Sequence, residues 1–295
     1  MSRPLTHPGI TVAVDGSPAS KLAVNWAAQD AAMRRTPLRV VHVLPVDMTV
    51  PGTSLPMDYL SWQEDKGREV LDDALRIVEQ VTKADPIDAT AELVTGPPVP
   101  TLVDLSTGAQ MIVAGSRGLG PLNRLLLGSV SFGLVHHAHC PVAIIRGDDD
   151  DPPLPQPSQA PVVVGIDGSP ASESAIAIAF DEASFRGVEL IALHACSDVS
   201  ALQSNVPDWP AVRSELAELL SERLSGWQER YPDVSVNRIV VFNRPAPELM
   251  EQSESAQLVV VGSRGRGGFT GMLLGSVSAA VAHAASAPVI VARHP

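Results

Sequence analysis

The chain has 295 residues, 45% of them hydrophobic, and a formal net charge of −12. This length predicts about two domains of ordinary globular composition, and the acidic balance argues against a broad nucleic-acid interface, which needs a basic face. No apolar run is long enough to cross a bilayer, so we expect no membrane insertion. Two cysteines cannot form a disulfide framework, and no apolar signal segment opens the chain, so we expect a cytoplasmic protein.

The first half of the chain alternates short β-branched runs with segments of helical periodicity. Ser17 followed by Pro18 is typical of a helix N-cap and first helical residue. Residues 48–60 contain proline and glycine and are predicted as a loop. The predicted strands are 10–14, 38–44, 89–94, 111–114 and 142–145, and the further predicted helices are 61–83, 98–107 and 130–138.

An acidic, proline-rich stretch separates this half from a second copy of the same pattern. Residues 148–160 are predicted as a linker between domains 1–147 and 161–295. Asp15-Gly16-Ser17-Pro18 returns as Asp167-Gly168-Ser169-Pro170. The sequence therefore predicts a duplicated β-α-β-α-β-α-β-α-β unit of the α/β class, with a parallel sheet and helices on both faces. In such sheets the ligand lies beyond the carboxyl ends of the strands, where the strand order reverses.

A glycine motif follows the fourth predicted strand of each half. Its pattern is Gly-x2-Gly-x9-Gly-Ser, and we interpret it as a strand, a glycine loop and a helix start. Glycines allow main-chain N–H groups to approach an anion, and a helix N-terminus favours phosphate. The alternative is a tight turn without a ligand. The motif residues are Gly115, Gly118, Gly128 and Ser129 in the first half and Gly262, Gly265, Gly275 and Ser276 in the second.

Two better-known phosphate-binding motifs are excluded by the residues present. No Gly-Lys-Ser/Thr occurs, and the second half contains no lysine, so the loop is not a P-loop. Asn123 and Thr270 stand where a dinucleotide-binding fingerprint needs a third glycine or alanine. Arg117, Arg264 and Arg124 are the candidates for the positive charge that lysine does not provide.

The duplicated glycine pattern, with an aspartate after the first strand of each half, closely resembles the universal stress protein family. The resemblance is to its tandem, ATP-binding branch and covers essentially the whole chain. It implies two tandem Rossmann-like domains of the HUP type, each with a five-stranded parallel sheet. Adenine would pack near Val43 and Ala195, and Asp15 and Asp167 would contact the ribose end. The ribose-phosphate path would be lined by Gly115, Gly118, Gly128, Ser129 and Val130, and by Gly262, Gly265, Gly275, Ser276 and Val277.

The resemblance also implies a role and an assembly. We expect a regulator of stress response and growth that binds ATP, with Mg²⁺, at up to two sites per chain. Family members associate through the last strand, which implies pairing of the halves, and a homodimer and a partner protein are expected. The alternatives are slow ATP hydrolysis or nucleotidyl transfer, with Asp15 or Asp167 positioning water, a cyclic-AMP or other adenylate sensor, and a scaffold with one vestigial pocket.

The remaining candidates for chemistry have simpler interpretations. Asp15 and Asp167 can also act as turn-forming residues after a strand. His42 and His194 lie in apolar strands, and we expect packed, hydrogen-bonded rings rather than bases. A further His/Cys group resembles a metal site, but the second half does not repeat it and we expect no protein metal ligands; its members are His136, His137, His139 and Cys140. No nucleophile–base pair stands out, so a dedicated catalyst is not expected.

Overall fold

The chain divides into two units, Met1–Leu154 and Pro155–Pro295. The computed structural model describes residues 9–45, 57–118, 127–147, 159–196, 209–242, 244–266 and 273–293. Most of the predicted linker, together with residues 48–56 and 199–208, lies outside these ranges.

Unit 1 alternates strands and helices along the chain. Its strands are β1 Ile10–Ala13, β2 Leu38–Leu44, β3 Ala89–Thr95, β4 Met111–Gly115 and β5 Val142–Ile145. Its helices are α1 Pro18–Arg34, α2 Met57–Val81, α3 Pro98–Ser106 and α4 Ser129–His137. The strand order is β3-β2-β1-β4-β5, and each neighbouring pair is parallel. The order reverses between β1 and β4, so the carboxyl ends of these strands form the ligand crevice of such a sheet.

The central strands of unit 1 are apolar because helices cover them. Ile10, Val12, Ile112 and Val113 have no exposed surface. Helix α1 packs against β1, β4 and α2, and α3 packs against α4. Buried parallel strands appear in sequence as continuous apolar runs, which is why these runs predicted them.

Unit 2 repeats this architecture. Its strands are β6 Val162–Gly165, β7 Leu190–Ala195, β8 Val236–Val241, β9 Leu258–Gly262 and β10 Val289–Ala292. Its helices are α5 Pro170–Arg186, α6 Trp209–Arg230, α7 Pro245–Ser253 and α8 Ser276–Ala284. The order is β10-β9-β6-β7-β8, again with parallel neighbours, and the reversal falls between β6 and β9.

The first helix of each unit begins at the predicted cap. The Ser20 N–H donates to Ser17 Oγ at 3.2 Å, and the Ser172 N–H donates to Ser169 Oγ at 3.2 Å. A proline occupies the first turn of both helices, where its missing N–H removes no intrahelical bond. The cap fixes the path of the chain as it leaves the strand, and therefore the position of the aspartate between them.

The α/β class with two tandem units and parallel sheets is confirmed. The loop predicted over residues 48–60 is wrong at its end, because α2 already begins at Met57. Pro56 immediately precedes this start, and a proline next to a helix start is compatible with the helix. The remainder of that loop lies outside the described residues.

Candidate functional site

A pocket of about 390 Å³ opens at the carboxyl ends of β1 and β4 in unit 1. This volume falls in the range of small-molecule and cofactor sites, roughly 300–1,000 Å³. The structure brings every site residue predicted for the first half into the lining of this one pocket: Asp15, Val43, Gly115, Gly118, Gly128, Ser129 and Val130.

Asp15 lies in the turn between β1 and α1, where its carboxylate organises the main chain. Asp15 Oδ1 accepts a hydrogen bond from the Ser17 N–H at 3.0 Å. Gly16 follows with φ of +83°, a backbone conformation that favours glycine. The turn-forming role considered for Asp15 is therefore present, and the carboxylate also reaches the pocket.

Close approaches within the protein require glycine at Gly115 and Gly118, whereas a Cβ on Gly128 would make ordinary van der Waals contacts. A Cβ on Gly115 would lie 2.6 Å from the carbonyl carbon of Ala19, so the glycine lets α1 start directly against β4. A Cβ on Gly118 would collide with Asp15 Oδ2. A Cβ on Gly128 would lie 3.4 Å from the Arg117 Cα. The glycine pattern thus brings the two strand ends, the loop and the start of α4 together.

Helix α4 starts at the pocket without a capping side chain. Gly128 is its N-cap residue, and no side-chain hydrogen bond caps the helix. The Gly128 N–H donates to Ser116 O at 2.8 Å, so this amide closes the loop. The donors that remain for a ligand therefore begin at Ser129 and Val130, because the first N–H groups of a helix have no intrahelical acceptor. An uncapped helix N-terminus attracts anions.

Arginine side chains supply positive charge near the start of α4. Arg117 lines the pocket. Burial lowers the pKa of Arg146 from its usual value, and the nearby charge of Arg117 lowers it further. Two guanidinium groups near one another are stabilised by an anion that lies between or beside them. Arg124, the third candidate cation of this half, lies outside the described residues.

His42 lies in the pocket lining and holds the end of β1. Its Nδ1 lies 2.7 Å from Val14 O, and a carbonyl can only accept, so Nδ1 is the protonated nitrogen. His194 makes the same contact with Ile166 O at 2.7 Å. The predicted packed and hydrogen-bonded histidines are thus found in both units.

Unit 2 repeats these contacts at its own strand ends. Asp167 Oδ1 accepts from the Ser169 N–H at 2.9 Å, and its Oδ2 accepts from the Arg266 N–H at 3.0 Å. A Cβ on Gly265 would lie 2.5 Å from Asp167 Oδ2, and one on Gly262 would lie 2.7 Å from the Ala171 carbonyl carbon.

The helix start of unit 2 and the position of Ala195 at the end of β7 also match unit 1. Gly275 is the N-cap residue of α8 and no side-chain hydrogen bond caps this helix, and the Gly275 N–H donates to Ser263 O at 2.8 Å. Ser276 and Val277 form its first turn, and Ala195 ends β7 at the same edge of the sheet. All seven residues predicted for the second half therefore lie at the carboxyl edge.

In the part of the chain that the structure describes, the His/Cys group near the end of unit 1 does not gather into a cluster of three or more metal-ligating side chains. His136 Nδ1 lies 2.8 Å from Phe132 O, within its own helix. Cys140 is buried.

Sequence reasoning missed several residues at the two sites. Pro98, Leu102 and Ser131 also line the pocket, and Ser131 Oγ donates to Gly115 O. Ser131 directly follows the predicted Ser129 and Val130 and could have been indicated by them, whereas Pro98 and Leu102 belong to α3, where no site residue was predicted. In unit 2, Arg223 of α6 lies close to Gly168, and no signal in the sequence links these two distant positions.

Two duplicated α/β units with a glycine loop and an uncapped helix at the carboxyl edge of a parallel sheet define the class of fold. The universal stress protein family model matches residues 9–146 and 160–293. A universal stress protein of Mycobacterium tuberculosis is 56% identical over 295 residues, covering 99% of each chain. Another from the same organism is 55% identical over 287 residues, covering 97% of this chain and 96% of the relative. The chain belongs to the universal stress protein family.

A solved structure shows the same fold over the whole chain. The crystal structure of a universal stress protein from Archaeoglobus fulgidus superposes with a TM-score of 0.73 at 23% identity, covering 99% of this chain and 100% of that one. Among the described residues, no helix is both long enough and apolar enough to cross a membrane.

Proposed function

We propose that the chain binds ATP at the carboxyl edge of each unit and acts as a nucleotide-dependent regulator. The observation that carries the proposal is the uncapped start of α4 at a pocket of about 390 Å³ in unit 1. In unit 2 the start of α8 likewise has no side-chain cap. Main-chain N–H groups with no intrahelical acceptor, at the positive end of a helix dipole, bind phosphate without a lysine.

The pocket lining also offers candidate contacts for the adenine ring and the ribose of the nucleotide. Val43 is almost fully buried and apolar, so it offers a surface for the adenine ring at the β2 side. Asp15 follows β1, the strand between β2 and β4, and lines the same pocket, so its carboxylate is our candidate for the ribose hydroxyls. Mg²⁺ would enter with the triphosphate, since oxygen ligands from phosphate and water satisfy its coordination. In unit 2, Ala195, Asp167, Ser276 and Val277 take the corresponding roles.

A regulatory role follows if the nucleotide binds one conformation better than another, because a ligand shifts only those states that it binds differently. The proposal includes a cytoplasmic location, a homodimer and a partner protein whose affinity depends on the bound nucleotide. It places the protein in the control of survival and growth under stress.

The experiment is an isothermal titration of the full chain with ATP and Mg²⁺, preceded by extraction and identification of any nucleotide that co-purifies. We expect a bound adenine nucleotide, or micromolar or tighter ATP binding with up to two molecules per chain. A nucleotide-free protein with no measurable affinity for ATP would overturn the proposal.

Two further measurements on the same protein separate the proposal from a cyclic-nucleotide sensor and from a slow hydrolase. Competition by cyclic AMP at equal or higher affinity than ATP would replace the proposal by a cyclic-nucleotide sensor. Steady release of phosphate that is lost when Asp15→Ala and Asp167→Ala are combined would identify a slow hydrolase, because these carboxylates are the candidates for positioning water. Binding without turnover is the result that we expect.

A further inference from the structure

Among the described residues, two arginine side chains approach the turn after the first strand of unit 2. Gly168 follows Asp167 in the turn between β6 and α5. A Cβ on Gly168 would collide with Arg223 Nη1 and would lie 2.5 Å from Arg266 Nη2. Two guanidinium groups, one from α6 and one from the glycine loop, therefore converge on a single turn residue beside the candidate site.

Unit 1 is built differently at the matching turn. Gly16 has nearly the same backbone conformation, with φ of +83° against +79° for Gly168. The described atoms that a Cβ on Gly16 would meet are the two methyl groups of Val70, the nearer at 3.1 Å. An apolar residue of α2 thus covers the turn that two cations cover in unit 2.

The carboxylates of Glu173 and Asp167 lie next to this arginine pair but leave both guanidinium groups able to bind another anion. Glu173 Oε1 lies 3.4 Å from Arg223 Nη1, and both side chains are solvent-exposed to a large extent, 46% and 35%. The Asp167 carboxylate accepts from the Arg266 main-chain N–H and does not depend on the Arg266 side chain. An exposed ion pair of this kind contributes little stability and exchanges readily for a stronger anion.

We propose that Arg223 and Arg266 form an oligophosphate subsite at the mouth of unit 2. Guanidinium groups bind phosphate oxygens through paired N–H donors, and two of them side by side are stabilised most by a ligand that carries several negative charges. Glu173 competes with that ligand for Arg223. The subsite makes unit 2 favour nucleotides with more phosphate groups, whereas Val70 lies at the matching turn of unit 1 and offers phosphate no charged contact there.

The inference deepens the proposed function, since it concerns the same site of unit 2, but its test does not require a nucleotide. The probe is inorganic tripolyphosphate, titrated into the full chain at two salt concentrations, alongside ATP and AMP. If the chain binds tripolyphosphate but not ATP, the nucleotide proposal fails and the subsite stands. If ATP displaces tripolyphosphate, the anion belongs to the nucleotide site.

The variants are Arg223→Ala and Arg266→Ala, with Arg213→Ala as the matched control. Arg213 lies on the same helix as Arg223 but is placed over the Phe242 ring at 5.7 Å, so its removal changes net charge equally without touching Gly168. Arg266→Ala keeps the main-chain N–H that binds Asp167. Each of the first two substitutions should weaken tripolyphosphate binding about tenfold and reduce its salt dependence.

Two gain-of-binding variants complete the test. Glu173→Gln should tighten tripolyphosphate binding several-fold, because it removes the competing carboxylate. Val70→Arg should give unit 1 a salt-dependent preference for ATP over AMP. The proposal is overturned if Arg223→Ala and Arg266→Ala bind tripolyphosphate as Arg213→Ala does, or if Glu173→Gln has no effect while the unfolding temperatures of all variants agree.

Discussion

The carboxylate of Asp15 lies directly against the Cα of Gly118, so that a Cβ at this glycine would collide with Asp15 Oδ2. The same contact joins Asp167 and Gly265 in unit 2. The aspartate after the first strand and the second glycine of the loop are therefore one structural element. It links the two strand ends between which the pocket opens.

Gly118→Ala should displace the Asp15 side chain while leaving the fold intact. The added methyl group forces Oδ2 away, and this disturbs the hydrogen bond from the Ser17 N–H to Oδ1. We expect ATP affinity at unit 1 to fall about tenfold and the free energy of unfolding to fall by about 1 kcal/mol. Isothermal titration and urea denaturation measure the two effects. Gly108→Ala is the control, because a Cβ there meets nothing within 4 Å, and equal ATP binding by both variants would contradict the account.

Gly115→Ala should act on stability rather than on binding chemistry. Its Cβ would lie 2.6 Å and 2.7 Å from the carbonyl carbon and oxygen of Ala19 and 2.9 Å from the Ser20 nitrogen. These are main-chain atoms in the first turn of α1, which cannot move without shifting the helix. We expect a loss of about 2–3 kcal/mol in the free energy of unfolding. An unfolding midpoint in urea equal to that of the unmodified chain would contradict this packing.

Two mid-helix glycines should respond in opposite directions to alanine. Gly67 of α2 is packed, and a Cβ there would lie 2.7 Å from Leu93 Cδ1 and 3.0 Å from His42 Cδ2. Gly226 of α6 has nothing within 4 Å. Gly226→Ala should stabilise the chain by about 0.5–1 kcal/mol, because alanine loses less backbone entropy in a helix. Gly67→Ala should destabilise it by about 1–3 kcal/mol. Thermal denaturation of the two variants tests this, and a shift in the same direction for both would contradict it.

Ser17→Ala should cost about 1 kcal/mol, the usual value of a serine N-cap. The variant loses the acceptor for the Ser20 N–H at 3.2 Å and the hydrogen bond that Ser17 Oγ donates to Arg117 O at 3.4 Å. The second contact ties α1 to the glycine loop, so ATP affinity should also fall modestly. Ser169→Ala gives the matched change in unit 2, where Ser169 Oγ donates to Arg264 O at 3.1 Å. If both variants kept the unfolding free energy of the unmodified chain in urea, the stabilising role of these two N-cap serines would be contradicted.

The fold and most of the candidate site could be predicted because their signals are local. A buried parallel strand is an apolar run, and Ser17 with Pro18 marks a helix start within two residues. The duplication supplied a second copy of each signal. The rule that ligands lie where the strand order of an open sheet reverses predicted the edge of the sheet, and the resemblance to the universal stress protein family implied the individual site residues.

The remaining features depend on contacts between distant segments. That the Gly128 N–H donates to Ser116 O could not be inferred from the motif, because it depends on how the loop folds back. The approach of Arg223 to Gly168 depends on the rotation of α6 on the sheet. The start of α2 at Met57 was missed because the preceding proline and glycine residues predicted a longer loop.

The most direct test of the account removes single main-chain donors at the two helix starts. Ser129→Pro and Ser276→Pro each delete one N–H at the first helical position, which proline occupies without strain. Gly128 and Gly275 have extended ψ angles of 157° and 153°, the conformation that a residue before proline prefers. Ser129→Ala and Ser276→Ala remove the hydroxyls alone.

ATP titration of these four variants should show at least a tenfold weaker site for each proline variant than for its alanine control. The double proline variant should have no measurable ATP binding, with its unfolding free energy close to that of the double alanine variant. Proline variants that bind ATP as tightly as the alanine variants would contradict phosphate binding by the starts of α4 and α8.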